Sequence, residues 1–396
     1  MWPAEAKQTQ ARFLDDTWRR KALVFAEKLD ITALASRLTE SQLSKLARQE
    51  IVESRIISYK DQRFEMEFGP FTIDTIEADE LLMIQSLEAY YGEIADFIDR
   101  YFAFLPRWRI DDVMASYGHE GANCGAHFDH YDVFLVQVRG QKHWSLDDGG
   151  HTDLDLDDTA DVRLLEHFAP SWSAIQGPGD VLYVPPGVGH HGIASKDSLT
   201  LSIGIRNPTG NEMISHLADY VAQDSSANNT LDSELYRFTD VSPEALTQKP
   251  AGDFSKDLIL RLQTQLKKML LDEALLSRWY GAYMTEPREP DIFTEQKVTS
   301  LIRATDQAED ILQNIHKIDL HLATRLAYAV SNTDVTLFVN GQAYKGTPAD
   351  LVWFVPLQNH RTLNIQTLNL DKPSQHIIAR LLDDGALVIR DSASNE

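Results

Sequence analysis

Gly177-Pro178-Gly179-Asp180-Val181-Leu182-Tyr183-Val184-Pro185-Pro186-Gly187-Val188-Gly189-His190 reads as a tight turn, a short buried strand, and a second turn that delivers a histidine from a constrained corner. It belongs to a longer stretch, 110–206, built of short apolar runs cut by glycine and proline. Those runs are Val113–Tyr117, Val133–Val138, His143–Leu146, Ser173–Ile175, Val181–Val184 and Leu199–Ile205. Several short strands at this spacing predict a β-sandwich or barrel. A double sheet of that kind brings distant positions back to one cavity. The stretch Gly125-Ala126-His127-Phe128-Asp129-His130-Tyr131-Asp132 lies beside one early strand, and His190 follows a later one. The separation of 61 positions from Asp129 to His190 leaves room for the strands that bring them together.

The flanks read differently. Residues 5–50 are predicted mostly helical, with a strand-like run at Ala22-Leu23-Val24-Phe25. Residues 54–71 alternate around a break at Lys60-Asp61-Gln62, which predicts a hairpin. Residues 77–103 carry apolar residues at helical spacing. After Asn207-Pro208-Thr209-Gly210 helices are predicted over Glu212–Ala222 and Leu258–Leu271, joined by a loop-rich 223–256. Further on, Asn340-Gly341 between apolar runs in Val335–Tyr344 is a hairpin signal. Helices over Ala349–Phe354 and Ser374–Asp384 and a strand at Ala386–Arg390 complete a small α/β unit of winged-helix type.

Composition narrows the function classes. The 396 residues are 43% hydrophobic, enough for a sizeable core and two or three domains. No apolar run approaches the ~20 residues of a membrane-spanning helix. The first residues, Met1-Trp2-Pro3-Ala4-Glu5-Ala6-Lys7, lack a basic segment followed by an apolar one, so no secretory signal is read. A single cysteine, Cys124, excludes an intramolecular disulfide, and a cytoplasmic protein is expected. The formal charge of -23 disfavours nucleic acid as the main partner and suits a basic one. Part of that charge is concentrated in Asp147–Asp161.

His127, Asp129 and His190 offer two imidazoles and a carboxylate to one metal. Such a set on one face of an octahedron leaves three positions for a co-substrate and O2, which suits non-haem Fe(II). His190 and His191 compete for the last position, because neighbours on a strand point to opposite faces. An oxygenase that uses 2-oxoglutarate also needs a cation for the distal carboxylate. Lys142, 15 residues beyond His127, and Arg206 are the two candidates. Strand alternation nominates Ser116, Tyr117, Tyr131 and Ser202 as cavity walls.

The phrases Trp108-Arg109-Ile110-Asp111-Asp112, His127-Phe128-Asp129-His130-Tyr131-Asp132-Val133-Phe134, Pro185-Pro186-Gly187-Val188-Gly189-His190 and Ala218-Asp219-Tyr220-Val221 resemble those of the bacterial Jumonji-C, cupin-type ribosomal oxygenases. The resemblance is specific over about 110–223. It implies an α+β chain: a double-stranded β-helix core with flanking helices over 1–208, a helical dimerisation segment over 209–285, and a winged-helix-like α/β domain over 286–396. It implies Fe(II) held by His127, Asp129 and His190, in preference to His191, with 2-oxoglutarate and O2 as co-substrates. The 2-oxoglutarate carboxylate would pair with Lys142, where close relatives often carry Arg. The implied activity is hydroxylation of an arginine in large-subunit ribosomal protein L sixteen by a homodimer. Histidine hydroxylation in another ribosomal protein, and a non-catalytic cupin that senses a ligand, are the competing readings.

Overall fold

The computed structural model describes residues 7–25, 28–61, 63–157, 162–223, 256–293, 312–313, 315–331 and 334–390. They divide into two units, one of 1–207, 287–325 and 352–396, the other of 208–286 and 326–351. No helix among the described residues is long and apolar enough to cross a membrane.

The first unit contains α1 (Lys7–Asp16), β1 (Leu23–Val24), α2 (Thr32–Arg37), α3 (Glu40–Leu46), β2 (Ser54–Lys60), β3 (Arg63–Phe68), β4 (Glu80–Ile84), α4 (Gly92–Tyr101), β5 (Ile110–Gly118), β6 (Asp132–Arg139), β7 (Lys142–Asp147), β8 (Trp172–Gln176), β9 (Val181–Val184), β10 (Gly189–Ala194) and β11 (Ser198–Ile205). Eight of these strands form one sheet in the order β1-β9-β6-β11-β5-β4-β2-β3, and three form another in the order β10-β7-β8. Every pairing is antiparallel, so the two sheets make the expected jelly roll.

The period of two explains how one sheet serves two purposes. On β5, Val113, Ala115 and Tyr117 join the main core, while Asp112, Met114 and Ser116 face a cavity. On β11, Leu201 and Ile203 enter the core, while Ser202 and Gly204 line the cavity. The core face is covered by the helices, with Phe13, Leu34, Leu43 and Phe97 in the same cluster. Burying a Leu or Phe side chain there contributes about 1.5–3 kcal/mol. The first unit also holds a three-stranded sheet of Lys317–Leu320, Thr362–Asn364 and Leu387–Ile389.

In the second unit, α5 (Gly210–Gln223), α6 (Lys256–Leu270) and α7 (Glu273–Thr285) accompany a sheet of Leu326–Ser331, Asp334–Val339 and Gln342–Gly346. Gly281 lets α7 lie against Phe338, since a Cβ there would come within 2.4 Å of its ring. Asn340 and Gly341 both have positive φ (48° and 81°), as the expected hairpin turn requires.

Two expectations change. Residues 77–103 are not one helix: Leu81–Ile84 belong to β4, buried on both faces between β2 and β5, and the helix begins at Gly92. A strand buried on both sides shows no alternation and is read as helix from spacing alone. His190 does not merely follow a strand but sits within β10. Most of 223–256 lies outside the described residues, as do Gln62, Asp158 and Asp161.

Candidate metal centre

His127 and His190 are neighbours across an antiparallel bridge. Each backbone amide donates to the other's carbonyl, at 3.1 Å and 2.7 Å. This pairing sets the two imidazoles side by side, with ring centroids 4.2 Å apart. His127 Nδ1 meets the Gly125 carbonyl at 3.0 Å, and His190 Nδ1 meets the Val188 carbonyl at 3.1 Å. With both Nδ1 atoms engaged by backbone, both Nε2 atoms remain for a ligand. The Asp129 carbonyl accepts from the Gly187 amide at 2.9 Å, which ties the segment carrying the carboxylate to the Pro-Pro-Gly turn. Asp129 Oδ2 lies 3.6 Å from His190 Nε2. Ligand atoms from His127, Asp129 and His190 all fall within 4.8 Å of one another. This donor set fits the facial arrangement suited to Fe(II).

Burial, with His127 nearby, takes His190 down to about 4, so it stays neutral and able to ligate at neutral pH. Burial alone would also lower His127, but Cys124 and Asp129 beside it carry it up to about 9. A metal ion must therefore displace a proton from His127. His191 points away, with Nε2 3.1 Å from the Asn123 side-chain oxygen. His130 is engaged by Asp153 at 3.0 Å.

The three ligands border a cavity of about 300 Å3. Met83, Met114, Val133 and Leu135 give it apolar walls. It has two polar ends. At one, Lys142 is buried, with Nζ 3.4 Å from Ser116 Oγ and 5.1 Å from the centre of the Trp144 ring. No carboxylate forms an ion pair with it among the described residues. Burial lowers its pKa, with Cys124 acting in the opposite direction. At the other end stands the buried carboxylate of Asp112, with Gln85, Arg55, Arg288 and Tyr131. Arg288 lies 3.8 Å from Asp112, 3.5 Å from Asp111 and 3.5 Å from Glu53. With its amide oriented to satisfy both neighbours, Gln85 bridges Asp112 and Arg55. Burial pushes Asp112 up to about 7 despite Arg288. Asp129, then burial, hold the Tyr131 phenol well above its ordinary range, so it remains a hydroxyl.

Of the residues nominated from sequence, His127, Asp129, His190, Lys142, Ser116, Ser202 and Tyr131 line this one cavity. Arg206 does not line it. Its Nε is 3.9 Å from Asp111, and its backbone amide donates to the Arg109 carbonyl. Tyr117 is also corrected. As the neighbour of Ser116 on β5 it faces the core, where its hydroxyl donates to Glu40 at 3.2 Å. Arg55, Gln85, Asp112, Cys124 and Arg288 were not nominated. The alternation that selected Ser116 also selects Asp112, four residues earlier on the same face. No local pattern points to Arg288.

Comparison with known proteins agrees with this geometry. Residues 98–213 match the JmjC domain, and residues 265–391 match the ROXA-like winged helix. The ribosomal protein uL16 3-hydroxylase of Escherichia coli K12 is 28% identical over 375 residues, 88% of this chain and 95% of that one. A probable ribosomal oxygenase of Haemophilus influenzae is 28% identical over 222 residues, 54% of each chain. Among solved structures, E. coli ycfD superposes with a TM-score of 0.77 at 23% identity, covering 96% of this chain and 98% of that one. The same protein in complex with cobalt and 2-oxoglutarate gives 0.75 at 23% identity, with the same coverage. The chain thus has the JmjC cupin fold with a winged helix, and the resemblance drawn from its motifs stands.

Proposed function

We propose that this protein is an Fe(II)- and 2-oxoglutarate-dependent oxygenase that hydroxylates an arginine of a basic ribosomal protein, uL16. One observation carries the reading: a His-Asp-His ligand set shares one cavity with a buried ammonium that pairs with no carboxylate among the described residues. An isolated buried charge costs several kcal/mol unless something pairs with it. A dicarboxylic co-substrate that chelates the metal at one end and meets Lys142 at the other satisfies both features. The names of the relatives support the ribosomal target.

When bound, Fe(II) with 2-oxoglutarate and O2 supplies an oxidant that places one oxygen on a C–H bond, with release of succinate and CO2. The chain's own residues do the rest. His127, Asp129 and His190 hold the metal. Lys142 anchors the distal carboxylate by a charge-assisted hydrogen bond, and Ser116 holds the ammonium in place. Ser202 lines the same cavity. Met83, Met114 and Leu135 exclude water. Asp112 favours arginine over histidine as the target, because its carboxylate can exchange the Arg288 guanidinium for that of a substrate arginine, an exchange a neutral imidazole does not match.

Two further parts of the reading follow. The catalytic domain is 1–208, followed by a helical segment over 209–285 and a winged-helix-like domain over 286–396. The helical segment joins two copies. On its own helices Ile214, Leu260, Leu266 and Leu270 are each at least half exposed, an apolar surface that a second copy would cover.

A panel of recombinant ribosomal proteins, each incubated with the enzyme, Fe(II), ascorbate and 2-oxoglutarate, tests the substrate. Peptide mass spectrometry is expected to place one added oxygen on an arginine of uL16. Oxygen on a histidine of another protein selects the competing hydroxylase. No oxygen and no 2-oxoglutarate consumption selects the non-catalytic cupin.

A further inference from the structure

A second chamber of about 360 Å3 also borders the metal ligands. His127, Asp129, Tyr131 and Arg55 border both spaces. One wall of the outer chamber is the β2–β3 hairpin, through Ile57 and Met66, which are direct cross-strand partners. β3 is the last strand of the eight-stranded sheet, so among the described residues nothing pairs with its outer edge. Its residues alternate strictly. Phe64, Met66 and Phe68 lie on the chamber face together with Tyr59 and Ile57, and Tyr59 and Phe64 bring their rings to 4.7 Å. Glu65 and Glu67 occupy the other face, exposed and without a cation partner among the described residues.

We infer that the free edge of β3 receives an extended, lysine- and arginine-rich segment of the substrate protein as an additional strand. This rests on the reading of the protein as a hydroxylase of a basic ribosomal protein. An added strand lies about 4.8 Å from β3 and shares its alternation. Its inward side chains therefore fall alongside Phe64, Met66 and Phe68. The one beside Met66 enters the chamber that leads to His127 and Asp129. The outward side chains of the segment fall beside Glu65 and Glu67. Charges on an edge strand deter indiscriminate pairing. Charges of a single sign deter every strand except one of opposite sign, so the same two residues select the partner. The overall charge of -23 favours the same encounter over a longer range.

Hydrogen–deuterium exchange of the full chain, loaded with Mn(II) and 2-oxoglutarate, with and without recombinant uL16, tests the placement. The expected result is slowed exchange of the outward amides within 63–68 when uL16 is present. The E65K/E67K double variant is expected to raise the Kd for uL16 at least tenfold. Its KM is expected to rise in parallel, with kcat at saturation within twofold and the melting temperature unchanged. E65Q/E67Q is expected to fall between that variant and wild type, which guards against a fold effect of the charge reversal. Binding and hydroxylation of uL16 with no change in β3 exchange, or with an unchanged Kd in the double variant, overturn the strand-addition proposal and leave the oxygenase reading in place. If uL16 is neither bound nor oxidised, the substrate reading fails and this proposal fails with it.

Discussion

The two polar ends of the metal cavity solve the problem of buried charge in opposite ways. At the Lys142 end a single cation is held among Ser116, Trp144 and apolar walls, with no anion opposite it among the described residues. At the Asp112 end, carboxylates and guanidiniums answer one another. Arg288 bridges Glu53, Asp111 and Asp112, and Arg325 reaches Asp111 at 3.3 Å. On the proposed function the first end is completed by the co-substrate. The second is neutralised from within, and a ligand enters it by exchanging partners. The proposed anchor for a small dianion is thus built into the barrel. The substrate end depends on Arg288, which comes from a segment far along the chain.

The largest expected effect tests what the two ends share. His190→Ala removes a ligand that both depend on, and turnover should fall at least about 100-fold, beyond the loss typical of a supporting residue of a metal ligand. Metal content by elemental analysis should fall with it, while circular dichroism stays unchanged. Next, Lys142→Met keeps the bulk and removes the charge. The KM for 2-oxoglutarate should rise about 10–100-fold, the equivalent of one charge-assisted hydrogen bond. The ligand-free variant should be more stable than wild type, since an unpaired buried cation has been removed. A rise in KM with no gain in stability would mean that the ammonium already has a partner.

Asp112→Asn tests the other end and should raise the KM for protein substrate about tenfold while leaving that for 2-oxoglutarate unchanged. Its pH dependence gives a second check. Asp112 titrates near 7 when folded against 3.8 for a free aspartate, so from about pH 4 to 7 the folded state holds the proton more tightly than the unfolded chain. Wild type should lose stability as pH rises through that window, by roughly 2–4 kcal/mol. The variant should lose less, as urea unfolding at pH 4.5 and 7.5 would show. The smallest effect belongs to His191→Ala. Its imidazole faces Asn123, so turnover should stay within about threefold of wild type. A loss comparable to that of His190→Ala would reverse the assignment of the ligand.

Much of this was legible in the sequence where period and chemistry coincide. Val181–Val184 is predicted and observed with the same bounds. Alternation placed Ser116 and Ser202 on the cavity face. It also shows why Ser116 and Tyr117 cannot share that face. The extent of β10 was not legible, because Gly189-His190-His191-Gly192 has little strand propensity. Its conformation is imposed by pairing with β7, and Gly192 is required there because a Cβ would meet the Trp144 ring at 2.5 Å. Arg206 misled for the opposite reason: a cation close to a cavity strand in sequence is neutralised by Asp111, a partner that no spacing reveals. Much of the acidic run 147–161 proved to be engaged locally. Asp147 accepts from the amides of Gly149 and Ala169, and Asp153 pairs with Arg163 and His130.

On the proposed function, one cavity holds a metal at His127, Asp129 and His190 and the far carboxylate of 2-oxoglutarate at Lys142. Anaerobic titration of 2-oxoglutarate into the Fe(II)-loaded protein tests it most directly, by the visible charge-transfer band that a 2-oxo acid gives on chelating Fe(II). A saturable band is expected in wild type, the same band at about 10–100-fold higher 2-oxoglutarate in Lys142→Met, and none in His190→Ala. A band that persists in His190→Ala, or the same midpoint in Lys142→Met as in wild type, would contradict it.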